Sequence, residues 1–357
     1  LDPFAGGGAI PLEAQRLGSG QTRNTTAKIT SQHGLIYDKL TRRFGAEQAG
    51  QYARVNQRAI AEYRRIVREL AIDCALEERA AYLYSTLDED ALRAEAHAAR
   101  ALGLNAQFTA QTALPFPVKG AVRFEEQAQF HPLRFLAAVA EQVTVYEQTL
   151  VLRVDGGRVE TDRGTVRARH VVFACHFPFV NAPGYYFARM HQERSYVLAL
   201  KNAPQLDGMY YGVDPEGLSF RNAGEYLLLG GGNHRTGENS AGGRYELLRQ
   251  AARRCYPDSR EAAHWSAQDC IPLDGVPYIG VYAPSVPNWY VATGFQKWGM
   301  TSSMAAAMLI SARITGREDP DGAVFSPRRF KLPAAGANLL EDGKQTVKGL
   351  SRQLFTS

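Results

Sequence analysis

In the stretch VATGFQKWGMTSSMAAAM, residues 291–308, a short apolar run ends at Gly294 and a helix-forming run begins near Gly299. Lys297 and Trp298 stand between them. In open α/β sheets, ligands collect beyond the carboxyl ends of the strands. The unpaired N–H groups of a helix start attract negative charge. Gly294 and Gly299 let the backbone approach a flat ligand, and Lys297 adds a cation. This suits a flat cofactor that becomes an anion when reduced. The plainer alternative is a strand–turn–helix with Trp298 as core filler.

A second candidate is the opening, LDPFAGGGAIPLEAQRLG, residues 1–18. It resembles motif I of adenine-specific DNA methyltransferases. By that resemblance Asp2 and Pro3 end a strand, Gly6, Gly7 and Gly8 wrap S-adenosylmethionine, and PLEAQRLG forms the next helix. Pro11 in a first helical turn agrees locally. Amino-methyltransferases also need a (D/N/S)PP(Y/F/W) loop to hold the target amine and stack the flipped base. The sequence contains no Pro-Pro pair.

These sites must be carried by a chain of 357 residues, a length that predicts about two domains. Apolar residues make up 45% and charged residues 22%, as in an ordinary globular protein. The net charge of +5 comes without a run of five like charges, so no nucleic-acid footprint is expected. Anionic cofactors or substrates suit that charge. Cys74, Cys175, Cys255 and Cys270 form no CxxC pair and stand at no metal-ligand spacing, so no metal is expected. They read as thiols of a reducing, cytoplasmic compartment. No apolar run approaches the length of a membrane span. The first residue is Leu, so the start reads as a cut edge.

Three helices are expected in the first half. Residues 44–72 carry Ala49, Tyr52, Ala59, Tyr63, Ile66 and Leu70 at helical spacing. Residues 87–103 place acids in the first turn and Gly103 after the end. Residues 131–142 place Pro132 at the first helical position. From 149 to 179 short β-rich runs alternate with DGG and DRG turns. VVFAC reads as a strand buried on both faces. SYVLAL, GMYYGV, GLSF and EYLLLGGG read as antiparallel strands, followed by a helix at 244–255. WYVATG, 289–294, is a further buried strand leading into a helix at about 299–315. Parallel-type strands flanking an antiparallel block predict one domain built from separated segments and a second domain made by that block.

The combination GSGQTRNTTAKITSQHGLIYDKL (18–40), QAQFHPLRFL (127–136), HVVFACHFPF (170–179), WSAQDCIPLDGVPYIG (265–280) and NWYVATGFQKWGMTSSMAAAMLI (288–310) resembles a known family. It is similar to the flavin-dependent amine and amino-acid oxidoreductases of the D-amino-acid oxidase and glycine oxidase superfamily. Within that superfamily it resembles the bacterial branch whose members often carry a C-terminal Rieske iron–sulfur domain. The resemblance implies a mixed α/β (α+β) fold: a Rossmann-like FAD-binding domain built from 1–76, 125–185 and 273–325, and an antiparallel-sheet substrate domain built from 77–124 and 186–272. Residues 326–357 are left as a C-terminal tail. It implies FAD as cofactor, a small-molecule amine or amino acid as substrate, and hydride transfer to flavin. The electron acceptor stays open.

The family's cofactor contacts carry over residue by residue. Glu13 would bind the adenosine ribose, although in the methyltransferase reading it lies on a helix. Asn24, Thr25, Thr26, Ala27 and Lys28 resemble the loop along the pyrophosphate and flavin ring, and Val143 the residue that meets the adenine. Ala174 and Cys175 lie where the second buried strand approaches the cofactor, although Cys175 packs more readily than it reacts. Gly294, Lys297, Trp298, Gly299, Met300 and Thr301 resemble the turn under the flavin's pyrimidine edge. No dedicated general base is implied, so catalytic residues stay unknown. His33, Gln127, His131, Tyr211, His234, Arg235 and Gln268 are polar substrate candidates; each also fits a structural role. Arg235 would clamp a carboxylate.

The sequence departs from the family at both ends. A GxGxxG turn is expected about 20 residues before Glu13, but twelve residues precede it and Gly6, Gly7 and Gly8 lack that spacing. The opening therefore reads as a methyltransferase-like junction onto a body without its first βα unit. A non-catalytic body that binds FAD poorly is a further alternative. The end shows no CxH or CxxH pair, so no iron–sulfur cluster is expected.

Overall fold

The structure, a computed structural model, describes residues 17–238 and 242–329. Glu13 and the glycines of the opening lie outside those residues, as does most of the expected tail.

A nine-stranded sheet dominates. Its order runs Lys28–Ile29, Gly120–Gln129, Glu77–Ser85, Gly208–Gly212, Ser219–Ala223, Tyr226–Arg235, Met190–Lys201 and Arg260–Pro272, with Ala106–Thr109 also paired to Gly120–Gln129. The block from 190 to 272 is antiparallel, as its turn-punctuated sequence predicts. One pairing is parallel: Gly208–Gly212 against Glu77–Ser85. It joins the antiparallel block to the first half of the chain. A second sheet has Trp289–Thr293 between Tyr278–Val281, antiparallel, and Val171–Phe173, parallel. A third is the exposed meander Val151–Asp155, Arg158–Thr161, Gly164–Arg167.

Helical spacing places the helices well. The first is Ala46–Glu69, burying Ala49, Tyr52, Ala59 and Tyr63. Burial of each larger side chain of this kind contributes about 1.5–3 kcal/mol. Leu70 falls one residue past the helix end and is exposed. Helix Glu89–Ala101 starts where the Asp88 carboxylate accepts from Ala91 N–H at 2.9 Å, and Gly103 follows it with φ +84°. Helix Pro132–Ala140 has His131 as its cap, with Nδ1 accepting from Arg134 N–H at 3.3 Å.

Helix Tyr37–Phe44 has no side-chain cap of its own. Glu95, on the helix Glu89–Ala101, supplies one from elsewhere. Its Oε1 accepts from the N–H groups of Ile36 (3.0 Å) and Tyr37 (2.9 Å), and its Oε2 from Asp38 N–H (3.0 Å).

VVFAC departs from its expected burial. Phe173 is buried, but Val172 is 44% exposed and faces a large cavity. An apolar run signals two covered faces whether the cover is protein or bound ligand. Here one face meets the cavity.

Candidate functional site

The cavity has a volume of about 1080 Å³. Ordinary small-molecule pockets span roughly 300–1,000 Å³, so this one has room for a dinucleotide. It lies between the nine-stranded sheet and the helix Gly299–Ile314. Gly299 and Met300, at the start of that helix, line it, as do Ala306, Ala307 and Ile310 farther along. The first turn has no side-chain cap. Its N–H groups and an apolar helix face are therefore both presented to one ligand. A Cβ built on Gly299 meets nothing within 4 Å, so the space above the turn is open. An uncapped helix start, an apolar wall and two lysines fit a flat group that takes on negative charge.

The turn itself is held firmly. Thr301 Oγ1 donates to Thr30 O at 2.8 Å and accepts from Thr30 N–H at 2.9 Å. Trp298 stacks on His33, with ring centroids 5.0 Å apart, and meets Tyr211 edge-on at 5.0 Å. His33 Nε2 lies 2.6 Å from Thr30 O and Nδ1 lies 2.6 Å from Tyr52 Oη. A carbonyl can only accept, so Nε2 carries the proton and Nδ1 accepts from the tyrosine. Burial pushes the His33 imidazole down to about 3, so it stays neutral and serves as a positioning group for Trp298.

Lys297 is the centre of a charge cluster. Its Nζ is 3.2 Å from Asp269 Oδ2 and 3.5 Å from Glu193 Oε2. Burial opposes its charge, but Asp269, Tyr211 and Glu193 outweigh burial and hold the ammonium well above the usual lysine range. Asp269 also accepts from Ser195 Oγ at 3.3 Å. Asp269 and Glu193 sit opposite one another on paired strands.

Lys28 is in a different position. Its Nζ donates to Ser219 Oγ at 2.6 Å and Tyr210 O at 3.0 Å, both neutral acceptors. It is half-buried, and it lines the cavity. Burial, then the nearby Arg221 guanidinium, pushes its ammonium down to about 7. Arg221 spends its own donors on backbone carbonyls: Ala27 O at 2.8 Å, Asn222 O at 3.2 Å, Phe130 O at 3.4 Å, and Thr26 O.

Of the residues singled out in the sequence, Asn24, Thr25, Thr26, Lys28, Ala174, Cys175, Lys297, Trp298, Gly299, Met300, Tyr211 and Gln268 line the cavity. Ala27, with φ +52°, is buried just behind the loop. Gly294, with φ +72°, sits below the turn, where an added Cβ would come within 2.6 Å of Pro272. His33, Thr301 and Gln127 support the wall from behind; Gln127 Oε1 accepts from Ser31 N–H at 2.6 Å. Val143 is exposed, and His131 caps an outer helix, so neither lines the cavity. His234 bonds Tyr196 at 3.0 Å beside the cavity, and Arg235 lies next to it on the same strand; neither is part of the lining.

Sequence reasoning passed over Asp269, Glu193, Ser219 and Arg221. Asp269 adjoins Gln268 in sequence and was within reach. The other three depend on strand register, which no motif announces.

The chain can now be set beside known proteins. The profile of the DAO family, FAD dependent oxidoreductase, matches residues 8–313. The Bacillus subtilis (strain 168) protein YhfW, named for a Rieske 2Fe-2S iron–sulfur centre, is 38% identical over 343 residues, which is 90% of this chain and 67% of that protein. Among solved structures, glycine oxidase from Geobacillus kaustophilus superposes with a TM-score of 0.73 at 22% identity, covering 89% of this chain and 91% of that one. L-proline dehydrogenase from P. horikoshii superposes with a TM-score of 0.71 at 15% identity, covering 87% and 88%. The methyltransferase resemblance was confined to residues 1–18, whereas the family match takes in most of the chain. The matched profile and the cavity's fit to a flat, anion-forming group agree: the chain belongs to the DAO family of FAD-dependent oxidoreductases.

Proposed function

We propose that this chain oxidises a small amine or amino acid, with FAD lying in the cavity along the helix Gly299–Ile314. The carrying observation is the uncapped helix start that opens into the cavity opposite a polar antiparallel sheet. When bound, FAD supplies the hydride acceptor, and the protein positions and polarises. In this reading the loop Asn24–Lys28, Ala174 and Cys175 run along the cofactor. The N–H groups of Gly299 and Met300 and the Lys297 ammonium face its electron-rich edge. Trp298 fixes the turn's shape through its stack on His33. Tyr211 and Gln268 face the substrate from the large sheet. The proposed division gives 1–76, 125–185 and 273–325 to the cofactor and 77–124 and 186–272 to the substrate. The names of the structural neighbours, a glycine oxidase, an L-proline dehydrogenase and an L-amino acid deaminase from Proteus vulgaris, support a small amine-bearing substrate.

The test is an anaerobic screen of the FAD-loaded protein against glycine, proline, other D- and L-amino acids and simple alkylamines. Bleaching of the visible flavin bands by at least one amine is expected. Bleaching by hydroxy acids or polyol phosphates alone would contradict the reading.

A further inference from the structure

We propose that the protein surface outside the turn 294–299 is the docking face for an acidic one-electron carrier protein, to which electrons leave the cavity. The inference rests on the reading that FAD lies in the cavity, and it adds the partner that reoxidises it.

The wall between cavity and solvent is thin at this turn. Gln296 lines the cavity, and its Nε2 donates to Gly275 O at 2.7 Å. Lys39 stands against Gly275: a Cβ built there would come within 3.1 Å of its Nζ. One residue therefore separates the cavity lining from an exposed lysine. A second route runs through rings in contact. Trp298, also in the lining, stacks on His33; His33 meets Tyr52 edge-on at 5.7 Å, and Tyr52 stacks on Phe325 at 5.4 Å. The Phe325 carbonyl accepts from Arg329 Nη1 at 3.0 Å.

Both routes end at one group of cations. Arg329 holds the Asp274 carboxylate at 2.8 and 3.1 Å, and its guanidinium lies over the Tyr278 ring at 4.2 Å, with that of Arg189 at 5.9 Å. Burial, then the neighbouring Arg43 guanidinium, lowers the Lys39 ammonium from its ordinary value, and Asp274 pulls the other way. Burial pushes the Tyr278 hydroxyl up; the charges acting on it are Asp274, Arg329, Arg189 and Arg43. Four cations, Lys39, Arg43, Arg189 and Arg329, thus face one carboxylate, and Arg329 already holds it. Lys39, Arg43 and the adjacent Arg328 are exposed. Acids bordering the face are already paired: Asp38 with Arg42 at 2.9 Å, Asp319 with Arg58 at 2.8 Å and Asp321 with Arg54 at 2.7 Å. Among the described residues the face keeps a positive excess, which selects an acidic partner and speeds its encounter. A small face suffices for a transient redox encounter. Reoxidation removes two electrons, so two carriers dock in turn, each gaining one electron, and the proton passes to water.

The probes are two haem proteins of opposite charge, acidic cytochrome b5 and basic cytochrome c. FAD-loaded protein is reduced anaerobically with dithionite, so that no amine is needed, and mixed with each in a stopped-flow cell. Binding of each is titrated calorimetrically. Cytochrome b5 is expected to bind and be reduced at low salt, with a rate that falls steeply as salt rises. Lys39→Glu made together with Arg43→Glu is expected to lower both its affinity and its rate about ten-fold, the lower end of electrostatic steering. The same pair should raise both for cytochrome c and leave reoxidation by neutral benzoquinone unchanged. Arg163→Glu with Arg167→Glu makes the same change in net charge on the outer meander and should behave as the parent. Equal losses in the two double variants, no loss in the first, or no binding of cytochrome b5 to the parent at low salt would each overturn the proposal. Binding without electron transfer, in protein that benzoquinone reoxidises, would also overturn it. The flavin spectrum recorded beforehand separates the two readings. Colourless protein that binds cytochrome b5 through Lys39 and Arg43 fails the FAD reading alone. Flavin-bearing protein that benzoquinone reoxidises and cytochrome b5 ignores fails the docking face alone.

Discussion

Lys297→Met is expected to lower the unfolding free energy by about 2 kcal/mol, between the scale of an exposed ion pair and that of stripping one partner from a fully buried one. The substitution keeps the stem's volume and removes the ammonium that faces Asp269 at 3.2 Å and Glu193 at 3.5 Å. Asp269 on the cavity wall and Glu193 opposite it on the paired strand would then lack their cation. The nearest remaining help is His191, whose Nε2 is 3.4 Å from Glu193 Oε1. Asp269→Asn introduced together with Lys297→Met should recover part of the loss, because one of the stranded charges disappears. Urea denaturation of the parent, the single variants and the pair measures both effects. A single variant within 0.5 kcal/mol of the parent, on the order of an ordinary surface substitution, would show that the cluster is solvated rather than buried.

Glu95→Ala is expected to cost about 3 kcal/mol, since two buried backbone N–H groups and one half-buried one lose their acceptor at once. The helix Tyr37–Phe44 has no other side-chain cap, and it follows directly on the segment that holds Ser31 and His33 against the cavity wall. Glu95→Gln keeps one acceptor oxygen and should fall between. The two variants also differ from the parent in pH dependence. Burial pushes the Glu95 carboxyl up to about 7, against the pull of the Asp38, Tyr37 and Ile36 N–H groups. The folded protein therefore binds this proton more tightly than the unfolded chain. Its share of stability is fully present below about 4.5, the ordinary range for Glu, and is lost as pH rises through about 7. Denaturation midpoints followed from pH 4.5 to 7.5 should show that slope in the parent and lack it in Glu95→Gln. Equal slopes would show that Glu95 does not titrate in that window.

Much of the frame was legible because periodicity reports burial directly. Tyr52, Ala59 and Tyr63 share a helix face, and Gly294 and Gly299 bracket a turn that lines the cavity, as local spacing predicts. The Asn24–Lys28 loop and the Lys297–Met300 turn were found as motifs because each is contiguous. What spacing could not reach was set by pairing between distant strands. Glu193 meets Asp269 through the register of two long strands, and Lys28 meets Ser219 across 191 residues. Glu95 caps a helix that starts 58 residues before it. His131 and Arg235 are the converse case: a polar residue beside a recognisable motif reads as a site candidate, and here one caps an outer helix while the other lies outside the cavity lining.

The central claim is that this cavity holds FAD. The most direct measurement is the visible absorption spectrum of the purified chain after incubation with FAD and desalting, with S-adenosylmethionine titrated in parallel by calorimetry. The account predicts retained flavin bands, weakened in Lys297→Met, and no heat from S-adenosylmethionine. Colourless protein, or saturable binding of S-adenosylmethionine, would contradict it.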